Sequence, residues 1–376
     1  MNSAIIRMMM TTRRWLLVFC AAGCSARALE PGVPADPGAR GVPPSPPLDA
    51  SAAIVGPKPA VDAGAADAGA PDAGAPDTGG ADMGTAPPGL AIDAWIAFDS
   101  DGGGFNRDIY VIRPDGTGRR RLTTESSVDA QPSFSRDGTI LTFASDRDGG
   151  GVTQIYLMDL ATGVATRVTQ RTDGAHDPAF SIDGTRIGYR SGAWVFSAKL
   201  DGSDERQISD GRTCCLNGPF GGPVFANDGQ STIYDDYNAI YEVDASATRR
   251  TIVMPTTGEQ SHPAASLDGL TIVLQATCAN DNAARSIWTV PSTLTTPLSC
   301  TGGRRLSATL TDATHASWGP NDTIVWGSVA GGNNNHSPVP SSLVAWQDGT
   351  LWTLTTGAGD DRNPSWSPTG TAIGDW

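Results

Sequence analysis

The sequence predicts an all-β fold, a six-bladed β-propeller of four-stranded antiparallel blades that is closed between its N- and C-terminal segments. Two observations predict it. A proline followed by an aromatic residue and an Asp-Gly turn recurs, with some degenerate copies, at six places that are 40 to 53 residues apart. The chain is also rich in glycine (45 residues) and poor in charge (18%), which favours short strands and tight turns over helices. Repeats of this length with several strands each are typical of propellers.

Residues 1–24 precede the predicted fold and have the pattern of an export signal. Arg7, Arg13 and Arg14 form a positive segment, and the apolar run WLLVFCAAG that follows is too short to span a bilayer. The signal ends in AAGC, which resembles the lipobox of bacterial lipoproteins. The resemblance implies that Cys24 is lipidated and becomes the new N-terminus, and that Ser25 after it directs sorting to the outer membrane. Because Ala21 stands where leucine is usual, cleavage without lipidation is the alternative.

Residues 25–90 predict a disordered linker. Repeats such as DAGAADAGAPDAGAPDTGG contain almost no large apolar residue, so this segment buries too little surface to offset the entropy lost on ordering. Its proline content and the mutual repulsion of its aspartates favour an extended tether.

The propeller is predicted from residue 91 to residue 376. In its best-preserved repeat, Pro132 begins a strand because it lacks an N–H group, and Asp137-Gly138 forms a tight turn. We call the proline position of each repeat its anchor. The eight-residue pattern that begins one residue before the anchor recurs at Gln131–Gly138, Asp177–Gly184, Gly222–Gly229, His262–Gly269, His315–Asp322, where Ala316 replaces the proline, and Asn363–Gly370.

Each unit contains four strands. In the best-preserved unit they are PSFS, TILTFAS, QIYLMDL and VATRVTQ. The two middle runs are apolar on both sides, as expected for strands that pack against neighbouring blades on both faces. The last run is rich in Arg and Thr, which protects an exposed edge.

The two ends of the propeller predict one shared blade. Ala91–Thr124 has the later strands of a unit but no anchor, whereas Pro364 anchors a first strand with no later strands after it. Two segments qualify as the second strand of this blade, AWIAFDS near the start and TAIGDW at the end.

The repeated pattern resembles the WD40-like, or PD40, repeat of TolB-type propellers over residues 91–376. The resemblance implies the propeller fold more strongly than any one activity, since such propellers serve as binding scaffolds, as accessory domains of serine peptidases and as enzymes. TolB itself carries an additional N-terminal α/β domain, whose place is taken here by the predicted linker.

The candidate site is the mouth of the central channel, where the residues before the anchors converge. Our candidate ligand-binding residues are Gln131, His176, Asp177, His262, His315, Arg362 and Asn363. Three of the four histidines fall in this set, and with Asp177 they suit a transition metal. The arrangement resembles that of propeller lyases that act on pectin fragments. The alternative is that these polar residues line a water-filled channel.

Four cysteines remain after Cys20 and Cys24. Their even number in an exported chain predicts disulfides. Cys278 and Cys300 lie within the longest repeat and are expected to pair. The adjacent Cys214 and Cys215 then either form a vicinal disulfide or stay reduced.

The predicted function is that of a non-enzymatic cell-envelope lipoprotein, whose propeller binds a protein or a cell-wall component. A formal net charge of −14 without a basic stripe argues against nucleic-acid binding. The chain also lacks G-x-S-x-G and H-E-x-x-H motifs. Under this interpretation no cofactor is required. The protein is expected at the outer membrane, facing the periplasm or the surface, and attached to it by the lipid alone. The alternative is a metal-dependent polysaccharide lyase, or another enzyme at the channel mouth, that uses His176, His262, His315 and Asp177.

Overall fold

The computed structural model describes residues 92–104, 106–209, 222–226, 231–235, 239–244, 246–253, 260–266, 268–277, 285–292, 303–307, 311–330, 341–356 and 359–376. The predicted signal, the predicted linker and all six cysteines lie outside these residues, so cleavage, lipidation and disulfide pairing stay predictions. Within the described ranges, no helix has the length and apolar character needed to cross a membrane.

The described strands form six four-stranded antiparallel sheets, as the repeats predicted. Blade 1 contains β1 (Ile96–Ser100), β2 (Asp108–Ile112) and β3 (Arg120–Arg121), joined by β24 (Arg362–Trp366). Blade 2 contains β4 (Asp129–Phe134), β5 (Ile140–Ser145), β6 (Gln154–Asp159) and β7 (Ala165–Arg167). Blade 3 contains β8 (His176–Phe180), β9 (Arg186–Ser191), β10 (Trp194–Lys199) and β11 (Arg206–Gln207).

The remaining blades repeat this order. Blade 4 contains β12 (Val224–Phe225), β13 (Thr232–Asp235), β14 (Ile240–Val243) and β15 (Arg249–Val253). Blade 5 contains β16 (Gln260–Ala265), β17 (Thr271–Ala276), β18 (Ser286–Pro291) and β19 (Arg304–Arg305). Blade 6 contains β20 (Thr311–Trp318), β21 (Ile324–Ala330), β22 (Ser342–Gln347) and β23 (Thr350–Thr353). The first strand of each unit is innermost, and a short 3₁₀ turn, Pro320–Asp322, follows β20.

The predicted closure between the two ends is confirmed. The C-terminal strand β24 pairs antiparallel with β1, with Ile96 opposite Trp366 and Ala97 opposite Ser365. The second strand of this blade therefore comes from AWIAFDS and not from TAIGDW. The last residues instead lie against blade 2, where the Gly374 N–H donates to the Leu160 carbonyl at 2.8 Å and the Trp376 indole donates to the same oxygen at 3.2 Å.

The hydrophobic core lies between the blades. Neighbouring residues of one strand pack in opposite directions: Ile96 and Phe98 belong to a cluster shared with blade 6, whereas Ala97 belongs to one shared with blade 2. Among the described residues there is one such cluster for each pair of neighbouring blades. This explains why the middle strands are apolar on both sides rather than alternating.

The outermost strand of blade 2 is shorter than the sequence predicted, and in four blades this strand has only two or three residues. In blade 2 the ladder ends at Arg167, because the Thr169 hydroxyl takes over as acceptor for the Ile155 N–H at 2.9 Å. The hydroxyl of the Ser or Thr that follows the outer strand accepts the corresponding N–H in four other blades, at Thr123, Ser209, Ser307 and Thr355. A side chain thus replaces main-chain pairing at the outer edge of the blade.

Candidate functional site

The residues before the anchors share an unusual backbone conformation. Five of them have φ between 52° and 58°, a left-handed conformation that non-glycine residues rarely adopt: Gln131, Asp177, His262, His315 and Asn363. In the inner strands of these five blades the pairing register shifts across these residues. Each is therefore a β-bulge, which turns a side chain out of the sheet plane.

The five bulged residues and Gly222 together line one cavity, which we call the channel mouth. Glycine in the sixth place has a steric reason. A Cβ atom on Gly222 would collide with the carbonyl oxygen and Cβ of Asp177 on the neighbouring blade. The backbone of blade 4 therefore lies directly against Asp177 of blade 3.

On one side of the channel mouth, a carboxylate is held by hydrogen bonds between two blades. The Gln131 side chain bonds Asp177 twice: its Nε2 donates to Oδ1 of Asp177, and its Oε1 accepts the Asp177 N–H at 3.0 Å. The other carboxylate oxygen accepts a hydrogen bond from Nε of Arg190 at 3.0 Å. Asp177 is thereby fixed in place and its charge is paired.

A second carboxylate, Asp99, joins blades 1 and 2 beneath the channel mouth. It is buried and accepts hydrogen bonds from the Gln131 N–H at 2.9 Å, from Nδ2 of Asn363 at 2.6 Å and from the Arg107 guanidinium at 2.8 Å. Burial raises the pKa of Asp99 because it removes water from the carboxylate, and Arg107 opposes that shift. Sequence reasoning missed Asp99 because it lies on β1, not in the repeated anchor pattern.

The opposite side of the channel mouth contains an imidazole pair. The rings of His262 and His315 meet edge to face with centroids 3.9 Å apart. Burial lowers the pKa of His315 to about 4, against the attraction of Asp177, so this ring is neutral at pH 7. Nδ1 of His315 and Oδ1 of Asn363 are buried and have no hydrogen-bond partner among the described residues.

Two of the sequence candidates do not line the channel mouth. His176 precedes the bulge of blade 3, and its ring lies beside Gly174 in the loop before β8. Burial and the nearby Arg190 lower the pKa of His176. Arg362 is half exposed and pairs with Asp360 at 2.5 Å. Nowhere in the described part of the chain do three His, Cys, Asp or Glu side chains lie close enough together to hold a metal ion.

The channel mouth presents amide, carboxylate and imidazole groups, which suit recognition of polar ligands. Nδ1 of His262 lies 3.1 Å from the Ser261 hydroxyl, but Ser261 is fully buried. That hydroxyl therefore cannot reach a substrate as a nucleophile, and the arrangement favours binding over acyl transfer.

Comparisons with known proteins agree with the fold. Residues 93–267 match the family described as PD40, the TolB beta propeller domain. A protein named TolB homolog from Chlorobium luteolum is 43% identical over 68 residues, which is 18% of this chain and 14% of that relative. The chain therefore spans a small part of the length of this relative.

Solved structures extend the likeness to the whole propeller. TolB from Acinetobacter baumannii superposes with a TM-score of 0.60 at 16% identity, covering 74% of this chain and 67% of that one. A structure of a putative TolB from Agrobacterium tumefaciens gives a TM-score of 0.54 at 14% identity, covering 73% and 99%. At such low identity these matches show the fold alone.

Proposed function

The propeller of this chain is similar to TolB and matches the PD40 family model. We propose that the protein is a non-enzymatic binding module of the cell envelope. The channel mouth holds a segment of a protein partner. A cell-wall component is the other candidate for this place, and the test below separates the two.

The observation that carries the proposal is the set of five left-handed residues around one cavity. A strained backbone of this kind persists where the surrounding structure enforces it, and such strain clusters at functional sites. It places Gln131, Asp177, His262, His315 and Asn363 on a common surface. Two of these residues keep a buried polar atom that has no partner among the described residues, and leaving such an atom unpaired costs about 1–3 kcal/mol. A partner that supplies the missing donor and acceptor recovers part of that cost.

The expected partner segment is polar and carries basic residues. A net charge of −14 attracts a cationic segment and speeds its association. The exposed main chain of an extended segment offers both donors and acceptors to the amide and imidazole groups of the channel mouth.

The test compares capture from envelope extracts by three proteins. These are the natural chain, a His262→Ala/Asn363→Ala variant, and Thr350→Ala, a control on the exposed outer strand β23. We expect the natural chain and the control to retain the same protein, and the channel-mouth variant to lose it while remaining folded, as judged by circular dichroism at the temperature of the capture. Equal capture by all three would refute the site, and capture of glycan strands without protein would assign a cell-wall partner.

A second candidate function is a metal-dependent enzyme at the same mouth, as in a polysaccharide lyase. The edge-to-face contact of His262 and His315 favours it, because two imidazoles at this separation can share an ion with a third ligand. Asp177, whose charge acts on His315, is the anionic candidate, but Gln131 and Arg190 engage it, and among the described residues it does not lie close enough to the two rings to complete a metal site. Elemental analysis of the natural chain and of His262→Ala decides the matter. Stoichiometric metal that is lost in the variant would replace the scaffold proposal with this one.

We also propose that residues 1–24 export the chain, that Cys24 carries a lipid at the outer membrane, and that residues 25–90 tether the propeller. In a Gram-negative host the natural chain is expected in the detergent phase of a Triton X-114 partition, and Cys24→Ala in the aqueous phase. Aqueous partition of both proteins would show cleavage without lipidation.

The disulfide proposal pairs Cys278 with Cys300. Peptide mapping without reduction is expected to yield the linked peptides of these two residues. A link from either one to Cys214 or Cys215 would contradict the proposal.

A further inference from the structure

A second cavity lies at the opposite end of the channel, where the inner strands end. We call it the exit funnel, and its volume is about 420 Å³. The residue two positions after the anchor lines the funnel in every blade. It is aromatic in five blades and alanine in one: Phe134, Phe180, Phe225, Trp318, Trp366 and Ala265.

The aromatic wall of the funnel has one gap. The five aromatic side chains pack toward the blades as a wall, and Phe134, Phe225 and Trp366 are each only 7–8% exposed. The wall is rigid at blade 6, where the Trp366 indole lies directly on the backbone of Gly319 and a Cβ atom there would collide with the ring. At blade 5 this wall is interrupted, because Ala265 has no ring. A volume of 420 Å³ lies within the range of about 300–1,000 Å³ that is typical of ligand pockets.

Most of the polar side chains that line the funnel are already hydrogen-bonded. The hydroxyls of Ser135, Ser181 and Ser266 each donate to the aspartate two residues later, at 2.6–2.7 Å. Arg136 is different. It is exposed on the rim, and no ion pair or hydrogen bond to it occurs among the residues that the structure describes. An available guanidinium at the edge of an aromatic-walled pocket suits a planar anion.

We propose that the exit funnel binds an aromatic acid of about two rings, with its rings beside Ala265 and its carboxylate or sulfonate at Arg136. Arg136 belongs to blade 2 and Ala265 to blade 5, which face each other across the six-membered ring. A ligand that contacts both residues therefore reaches from blade 5 toward blade 2. This site is separate from the channel mouth and does not depend on the function proposed there.

The test titrates the full chain with 8-anilinonaphthalene-1-sulfonate, a sulfonate with two aromatic ring systems, a naphthalene and a phenyl group, whose emission rises in apolar surroundings. Trp318 and Trp366 line the funnel, so their fluorescence is expected to fall in step with binding at one site per chain. Ala265→Phe supplies the sixth ring and is expected to weaken binding at least tenfold. Arg136→Gln removes the cation and is also expected to weaken binding about tenfold, or 1.4 kcal/mol. Arg206→Gln, a matched change of an exposed arginine on an outer strand, is expected to leave binding unchanged.

A neutral probe separates the two parts of the proposal. N-phenyl-1-naphthylamine has the same rings without the sulfonate, so Ala265→Phe should block it and Arg136→Gln should not. His262→Ala, which changes the channel mouth, should bind both dyes normally. The dye experiment can therefore fail without affecting the function proposed for the channel mouth, and the reverse also holds. Dye binding at several sites, or dye binding that neither Ala265→Phe nor Arg136→Gln changes, would overturn the proposal. If Ala265→Phe does not fold, Arg136→Gln with the two dyes still decides it.

Discussion

At the scale of single residues, His315 shows how the fold keeps an imidazole neutral beside its channel. Burial lowers its pKa to about 4, and Arg362, Arg285 and Arg107 act in the same direction. A histidine in the unfolded chain titrates near pH 6.5. Between these values the unfolded chain binds more protons than the folded chain, so stability falls as the pH falls from about 6.5 to about 4.

We expect His315→Gln to reduce this pH dependence. Since one pKa unit corresponds to about 1.4 kcal/mol, the natural chain should lose up to about 3 kcal/mol more than the variant between pH 7.5 and pH 4. Urea denaturation at both pH values measures the difference. Equal losses in the two proteins would show that His315 is not held neutral.

Asp99 is the residue whose removal should cost most. Its carboxylate satisfies Arg107, Asn363 and the Gln131 N–H at once. Asp99→Ala leaves a partly buried guanidinium without one partner and is expected to destabilise the fold by about 3 kcal/mol. Asp93→Ala removes the exposed partner of Arg113 and should change stability by less than about 0.5 kcal/mol. Similar losses in both variants, measured by chemical denaturation, would contradict the special place of Asp99.

At the scale of elements, the bulge before each anchor has two effects: it strains the backbone through its positive φ, and it determines the direction of the side chain. Substitutions at Gln131 separate the two, because glycine and valine both lack the amide that bonds Asp177. Glycine adopts positive φ freely, whereas a β-branched residue resists it, so Gln131→Val should be less stable than Gln131→Gly by about 1–2 kcal/mol. Thermal and chemical unfolding of the pair test this. Equal stability would mean that the bulge relaxes in the variants.

Sequence patterns predicted the elements well wherever the signal was local. The proline at the anchor and the Asp-Gly turn after it determine where a strand starts and turns, so the inner and middle strands followed from the repeat. The outer strand of blade 2 was predicted too long, because a pattern of Arg and Thr does not show that the Thr169 hydroxyl replaces the ladder. A recurring signal was present, an aliphatic residue followed by Ser or Thr, as in Leu122-Thr123 and Leu306-Ser307.

The candidate site was predicted only in part, for a physical reason. Convergence of the residues before the anchors follows from the repeat, and the channel mouth contains five of the seven named residues. His262 occupies the bulge of its blade, whereas in blade 3 the bulge is at Asp177 and His176 lies one position earlier. The spacing of the repeats does not reveal this difference, so the sequence did not predict that the two histidines are separated. The place of Asp99 arises from pairing between β1 and β24, which are distant in sequence.

At the scale of the whole molecule, closure of the ring depends on β24. Removal of residues 359–376 exposes the edge of β1 and takes Trp366 out of the core between blades 1 and 6. We expect this truncation to abolish cooperative unfolding, whereas removal of residues 1–88 should leave the melting temperature within about 2 °C, because the sequence predicts an export signal and a linker there and no part of a hydrophobic core. Calorimetry compares the two.

A circular permutant is the control for chain length. It joins Trp376 to Ile92 through a flexible linker and opens the chain at the exposed turn beside Gly150. All strands are retained, so we expect a melting transition close to that of the natural propeller. Loss of that transition would mean that closure depends on the order of the chain and not only on the pairing of β24 with β1.

The pairing of β1 with β24 also determines when the protein can finish folding. Synthesis and passage through a membrane both proceed from the N-terminus, so β1 is among the first strands to emerge and its partner is among the last. Throughout that interval the first blade presents an unpaired edge, to which foreign strands can add. A chain that stops before β24 therefore keeps the edge of β1 unpaired, whereas the chain that contains β24 covers it.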